Sequence, residues 1–146
     1  NKGNFRMEIW TNVVESYLNG LPYVLSHFVI AVLILILGVF IHVRITPIDE
    51  ASLIKNGNIA ASISMLGAFL ALAIPLSASL KVSMSLPSII IWGLTAIIIQ
   101  LICDRLAKLF VGDVYEKINK GEIATSVYLV GIKLSVALLN GAVISS

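Results

Sequence analysis

The stretch "IKNGNIAASISMLG" at residues 54–67 returns in altered form as "INKGEIATSVYLVG" at residues 118–131. The two copies align without a gap at an offset of 64 residues. Hydrophobic composition alone does not account for ungapped matches of glycine, aspartate and serine, so the sequence predicts two tandem copies of one unit. The matched positions include Asp49 and Asp113, Gly57 and Gly121, Ser62 and Ser126, and Gly67 and Gly131.

The composition places these copies in a membrane. Of 146 residues, 58% are hydrophobic and 12% are charged, whereas soluble domains have about 25% charged residues. We therefore predict an integral membrane protein. The net charge of +2 gives no polybasic surface for nucleic acid. Because the chain begins with asparagine, we expect a fragment or a processed product.

Four apolar segments reach the length that a bilayer requires, about 20 residues each. Each copy of the unit contains two of them, so each copy should cross the membrane twice and enter from the same side. The fold class expected is all-α integral membrane, with two tandem parallel helix-hairpin repeats at 23–86 and 87–146 related by an axis along the membrane normal. The segments are 24–43, 58–80, 87–108 and 122–144.

Residues 1–22 predict a separate, amphipathic helix. Apolar residues recur there at three- and four-residue spacing. Trp10 and Tyr17 are residue types that favour the headgroup layer. Gly20 and Pro22 should end this helix. We expect it to lie on the membrane surface rather than to cross it.

The distribution of cationic residues predicts the orientation. Six lie in the loops after the first and third segments, against three on the other side. The positive-inside rule therefore places these loops in the cytoplasm and both termini outside it. His42 and Arg44 end the first segment, and Arg105 and Lys108 end the third. All four lie at the level of the lipid phosphates and are interpreted as anchors. The six are Arg44, Lys55, Arg105, Lys108, Lys117 and Lys120.

Small residues at four-residue spacing indicate where helices pack closely. Gly67 and Ala71 form one such pair in the second segment, and Gly131 and Ser135 form the other in the fourth. In lipid, small residues allow helix backbones to approach each other. The second and fourth segments should therefore form the central contact, either as the core of one chain or as the seam of an oligomer.

The turns before these segments share a pattern. An aspartate precedes a short amphipathic turn, a glycine suited to positive φ ends it, and a polar residue then begins the next helix. The pattern has two interpretations: it makes the hairpin turn, or it presents paired helix N-termini to a cytoplasmic partner or anion. The residues are Asp49, Gly57 and Asn58 in one copy and Asp113, Gly121 and Glu122 in the other.

The second copy carries Lys133 where the first has Phe69. Counted from the start of its segment, Lys133 lies about 17 Å into the membrane, where a lysine costs at least about 2.5–3.5 kcal/mol. Ser126, Lys133 and Asn140 are seven residues apart and share one side of the helix. This polar stripe is the best functional candidate in the sequence.

The stripe predicts either a water-lined path or a structural lysine. In the first case Lys133 binds an anion or a proton, with Gln100 and Thr95 of the third segment as neighbours. Asp104 lies about 6 Å from the loop end of that segment, so pairing requires the lysine to extend towards the loops. In the second case Lys133 is hydrogen-bonded or snorkels to an interface.

The motif "GNIAASI" at residues 57–63, followed by Gly67, resembles the family catalogued as domain of unknown function 350, the YjfL-like small bacterial inner-membrane proteins. The second copy, "GEIATS" at residues 121–126, departs from it at Glu122 and Thr125. The resemblance covers the chain after residue 22. It implies a four-helix inner-membrane protein with a PspA-like stress protein as its cytoplasmic partner, and it supplies no catalytic residues.

The sequence carries no catalytic triad, metal-ligand cluster or P-loop. We therefore expect no enzyme activity, cofactor or metal. The first functional hypothesis is a homo-oligomer in the bilayer that forms a pore or permeation path along the polar stripe. The alternative is a membrane-homeostasis scaffold that recruits a partner through loops 44–57 and 105–121. A stripe facing a wet cavity would favour transport, and a sealed stripe would favour the scaffold.

Overall fold

The computed structural model describes residues 2–82 and 85–146. All regular secondary structure in this part of the chain is helical, with four long helices and two short ones joined by short turns, and the all-α prediction is confirmed. Each long helix is long and apolar enough to cross a membrane, and together they contain the four predicted segments almost entirely. The helices are α1 (Lys2–Ile45), α2 (Glu50–Lys55), α3 (Ile59–Val82), α4 (Leu86–Val111), α5 (Val114–Asn119) and α6 (Ile123–Ile144).

The predicted end of the first helix at Gly20 and Pro22 is wrong. α1 runs without interruption through both residues. Proline removes only one backbone hydrogen bond, and the carbonyl that it leaves free can bond to water where the helix is exposed. Residues 3–20 are exposed throughout. At 1.5 Å per residue α1 is about 66 Å long, roughly twice the hydrocarbon thickness of a bilayer. The surface position of its first half stays a prediction.

α3 and α6 form the most extensive helix pair, as the small residues predicted. Ala71 is fully buried, and a methyl group added to Gly67 would lie 2.5 Å from Val130 Cγ2 of α6. These two small residues therefore belong to the core of a single chain. Gly131 and Ser135 are exposed on the outer face of α6, so they do not contribute to that core.

Two connections lie at the same end of the bundle, which we call the loop side. One joins α1 to α3 through α2, and the other joins α4 to α6 through α5. They share a local construction. Asp49 accepts a hydrogen bond from the Ser52 N–H at 3.1 Å and caps α2. Asp113 accepts one from the Glu116 N–H at 3.3 Å and caps α5 in the same way. The glycines of the turns that follow, Gly57 and Gly121, have φ of +82° and +83°, where a side chain would be strained. The parallel-repeat relation between the two hairpins stays a prediction.

Asn58 joins the two connections. Its Oδ1 accepts from the Ala61 N–H at 2.9 Å and caps α3. Its Nδ2 donates to the carbonyls of Ile118 at 3.1 Å and Asn119 at 3.3 Å, at the end of α5. The matched residue Glu122 instead accepts from the Thr125 hydroxyl of its own helix. The asparagine therefore holds the second turn against the start of α3.

Candidate functional site: a buried charge cluster

Lys133 lies inside the bundle, with only 1% of its surface exposed. Its Nζ is 2.7 Å from Oδ1 of Asp104 on α4. The Cβ of a helical residue tilts towards the N-terminus of its helix, which in α6 is the loop end. The lysine side chain therefore extends towards the depth of Asp104, and the two charges meet as an ion pair.

The other oxygen of Asp104 continues the network into α1. His42 Nδ1 lies 3.3 Å from Asp104 Oδ2, within hydrogen-bond geometry. His42 Nε2 lies 3.3 Å from Glu50 Oε2, at ion-pair distance but without hydrogen-bond alignment. Ser64 Oγ of α3 donates to Glu50 Oε1 at 2.8 Å. We call Lys133, Asp104, His42 and Glu50 the charge cluster.

The charge cluster is buried at every member, with exposed fractions of 5% for His42, 8% for Asp104 and 0% for Glu50. An isolated charge in such a place costs several kcal/mol, and mutual pairing offsets that cost. Two carboxylates, one ammonium and a neutral imidazole carry a net charge of −1. Protonation of the His42 imidazole therefore changes the formal charge of the cluster from −1 to 0.

The predicted polar residues divide between the cluster and other roles. Gln100 is buried beside the lysine, and its Nε2 donates to the Lys133 carbonyl at 3.5 Å. Ser126 is buried and donates to the Ala60 carbonyl of α3 at 2.8 Å. Thr95 donates to the Ile91 carbonyl of its own helix, and its position as a neighbour of Lys133 stays a prediction.

Asn140 is half-buried at the far end of the stripe. Its Nδ2 is buried and has no hydrogen-bond partner among the described residues.

Two members of the cluster were not found from the sequence. The interpretation of His42 as an anchor at the lipid phosphates is wrong, because its side chain faces Asp104 and Glu50. Glu50 was not singled out at all. The repeat offers a signal for it, because Glu50 aligns with Val114, which is also buried. An acid at a position that is apolar in the other copy indicates a paired, buried carboxylate.

A cavity of about 420 Å³ lies next to the cluster, between the end of α1, α4 and α5. His42 and Asp104 are among its buried lining residues, together with Tyr115. Burial, with the Asp104 carboxylate nearby, raises the pKa of Tyr115 above its usual value, so its hydroxyl stays neutral. The His42 and Asp104 side chains therefore border a space large enough for a small molecule.

Comparisons with known proteins agree on one family. The profile described as Domain of Unknown Function (DUF350) matches residues 16–144. The UPF0719 inner membrane protein YjfL of Escherichia coli strain K12 is 34% identical over 117 residues, which cover 80% of this chain and 89% of the relative. The protein of the same name from E. coli O157:H7 matches to the same extent. No solved structure is significantly similar to the chain.

Proposed function

The chain belongs to the DUF350 family, and we propose that it is a multi-pass inner-membrane protein that conducts protons through its charge cluster. The relatives named above are inner membrane proteins, and the four apolar helices fit that location. By the positive-inside rule, both termini lie outside the cytoplasm and the cluster opens towards it.

The observation that carries this proposal is the unbroken series of contacts from Lys133 through Asp104 and His42 to Glu50. Each contact is between 2.7 and 3.3 Å. Transfer of a proton between His42 and Glu50 requires a rotation that aligns Nε2 with the carboxylate, because this pair lacks hydrogen-bond alignment. Phe69 occupies the matched position in α3, which argues that the hairpin itself does not require a lysine. Ionisable groups inside a membrane commonly mark ion or proton pathways.

The surroundings supply an entrance and part of a route. The cavity reaches His42 and Asp104 from the loop side. A void of about 10 Å³ lies between Lys133, Gln100 and Gly38, close to the lower limit for one water molecule. Asn140 continues the polar stripe beyond the lysine. Ser126 and Lys133 themselves are sealed in packing, which by the criterion given above favours the scaffold. The cavity beside His42 and Asp104 is the feature that favours transport, and it supports a path within one subunit.

The outer face of α6 supports assembly into a homo-oligomer. Gly131 and Ser135 lie four residues apart on that face and are exposed. A methyl group on Gly131 would meet nothing within 4 Å in the chain. Small residues that face lipid allow a second helix to approach closely. We propose this face as the contact between subunits.

Proton flux into liposomes tests the proposal. Purified protein is reconstituted with an internal pH-sensitive dye, and a potassium diffusion potential drives protons inward. Wild type should acidify the lumen faster than empty liposomes. The double variant Lys133→Met/Asp104→Asn removes the central ion pair without leaving either charge unpaired, and it should reduce the flux to background. Lys55→Gln, at an exposed position in α2, is the matched control and should conduct like wild type.

Wild-type flux equal to that of empty liposomes, under every potential applied, would refute proton conduction. Equal flux in wild type and the double variant would show that any permeation follows another route. Circular dichroism of the reconstituted variants establishes that they are folded, so that a loss of flux can be assigned to the cluster.

A second candidate function rests on the loop surface. A shallow groove of about 430 Å³ lies between the two turns, with Asn56 and Gly57 on one side and Lys120 and Gly121 on the other. Asn58 fixes the turns against each other. Under this alternative the groove docks a cytoplasmic protein of the PspA-like class. Binding of such a protein to wild-type vesicles, and its loss in Lys120→Glu, would favour the scaffold.

A further inference from the structure

The cavity beside the charge cluster has two chemically different parts. One part is apolar, with walls formed by Ile98, Leu101 and Ile102 of α4. Ile98 and Ile102 are 59% and 52% exposed on the outside of the bundle, where acyl chains lie. The other part carries Arg105 and Lys108, one turn further along the same helix. A ligand that fills both parts must be amphiphilic.

The uncompensated charge in this cavity is positive. Asp104 also lines it, but its carboxylate is already paired with Lys133 and His42. In the described part of the chain, neither Arg105 nor Lys108 lies within ion-pair distance of a carboxylate. The Lys108 ammonium instead lies 5.3 Å from the centre of the Tyr115 ring. Two unpaired cations three residues apart favour an anion.

The depth of these cations matches a headgroup. Arg105 follows Leu86, the first residue of α4, by 19 positions, which is about 28 Å at 1.5 Å per residue. The hydrocarbon core is about 30 Å thick. Arg105 therefore reaches the level of the lipid phosphates on the loop side, while Ile98 and Ile102 remain at the level of the chains.

We propose that this cavity binds one anionic phospholipid. Arg105 and Lys108 hold the phosphodiester by charge-assisted hydrogen bonds, and one acyl chain lies along Ile98 and Ile102. A zwitterionic lipid is disfavoured because the cationic part of its headgroup would approach the same two cations. The lipid site shares its cavity with the proposed proton entrance, so a bound lipid would also cover His42 and Asp104. It rests on different residues, since neither Arg105 nor Lys108 belongs to the charge cluster, and lipid binding is measured without reference to proton flux.

Native mass spectrometry of the full chain in detergent, titrated with phosphatidylglycerol or phosphatidylcholine, tests the site. Wild type should retain one phosphatidylglycerol at concentrations where phosphatidylcholine does not bind. Arg105→Gln and Lys108→Gln should each weaken that binding about tenfold. Arg44→Gln is the matched control, because Arg44 is an exposed arginine at the same end of the bundle, on α1, and does not line the cavity.

Equal retention of the two lipids by wild type would overturn the proposal without reference to any variant. Equal weakening by Arg44→Gln and Arg105→Gln would also overturn it, because that pattern indicates general attraction of anionic lipid to surface charge. Soluble glycerol phosphate is added as a competitor. If millimolar glycerol phosphate does not displace the bound phosphatidylglycerol, the result supports a lipid site. If it does displace the lipid, the cavity recognises phosphate alone.

Discussion

Replacement of Lys133 by methionine is the sharpest test of the charge cluster. Methionine is unbranched and of similar length, so it fills most of the same space without an ammonium. Asp104 then loses its partner at 2.7 Å and keeps only the hydrogen bond with His42. Breaking one side of a buried ion pair typically costs about 3–5 kcal/mol. This range corresponds to a decrease of roughly 150- to 5,000-fold in the ratio of folded to unfolded protein.

Protonation limits this cost. At pH 7, adding a proton to a carboxyl of ordinary pKa, about 3.9, takes about 4 kcal/mol. The variant can fold with a protonated, neutral Asp104, so its loss of stability at pH 7 does not exceed this cost of about 4 kcal/mol. Because folding of the variant then takes up one proton, its stability rises by about 1.4 kcal/mol for each pH unit below 7. We therefore expect the deficit to decrease by more than half at pH 5.

Reversible unfolding by dodecyl sulphate in mixed micelles, followed by far-ultraviolet circular dichroism, measures this difference. The double variant Lys133→Met/Asp104→Asn should recover most of the loss, because it leaves no carboxylate without its lysine. A single variant within about 1 kcal/mol of wild type at pH 7 would refute the assignment of a buried ion pair. A double variant no more stable than the single one would show that the lysine acts through a different partner.

Three further predictions concern packing and the turns. Gly67→Ala should destabilise the bundle by about 1–3 kcal/mol, because the added methyl group overlaps Val130. Gly131→Ala, with nothing within 4 Å in its own chain, should stabilise the monomeric bundle by about 0.5–1 kcal/mol. Unfolding in mixed micelles, at a dilution where the chain is monomeric, distinguishes the signs. Gly57→Ala should cost about 1–2 kcal/mol at a φ of +82°, measured in the same way. Hydrogen bonds from Ser52 lower the pKa of Asp49, so the stabilisation by this cap is complete above its ordinary value and is lost as the pH falls below about 4. Unfolding across this pH range should show a larger decrease in wild type than in Asp49→Ala, in which the other carboxylates, including the matched cap Asp113, still titrate.

Much of the fold was predictable because it depends on local properties of the chain. Length and apolar composition indicated the spanning helices, and Asp49, Gly57 and their matched residues indicated the turns. The first helix was predicted incorrectly, since Gly20 and Pro22 are signals of a helix end in water-soluble contexts but do not force one. A single missing hydrogen bond in an exposed helix is a small penalty compared with the many bonds on either side of it.

The candidate site was only half predictable. Lys133 was identifiable because a charge at midplane depth is costly wherever it faces. The depth of Asp104 along its helix follows from residue count, so it was identified as a partner that Lys133 reaches only by extending towards the loops. Residue count does not show which way the two side chains face, so the pairing itself was not predicted. His42 was assigned to the wrong environment and Glu50 was missed, since their distance along the chain from Asp104, 62 residues in the case of His42, gives no local signal.

The sequence by itself therefore determined the membrane class, the four helices long and apolar enough to span, and the positions of the turns. Only the tertiary structure decided which residues share an environment: Lys133 with Asp104, His42 with Glu50, and Gly67 with Val130. The physical reason is that helix periodicity fixes the position of a side chain along and around its own axis. The rotation of one helix against its neighbours follows from packing contacts between distant segments.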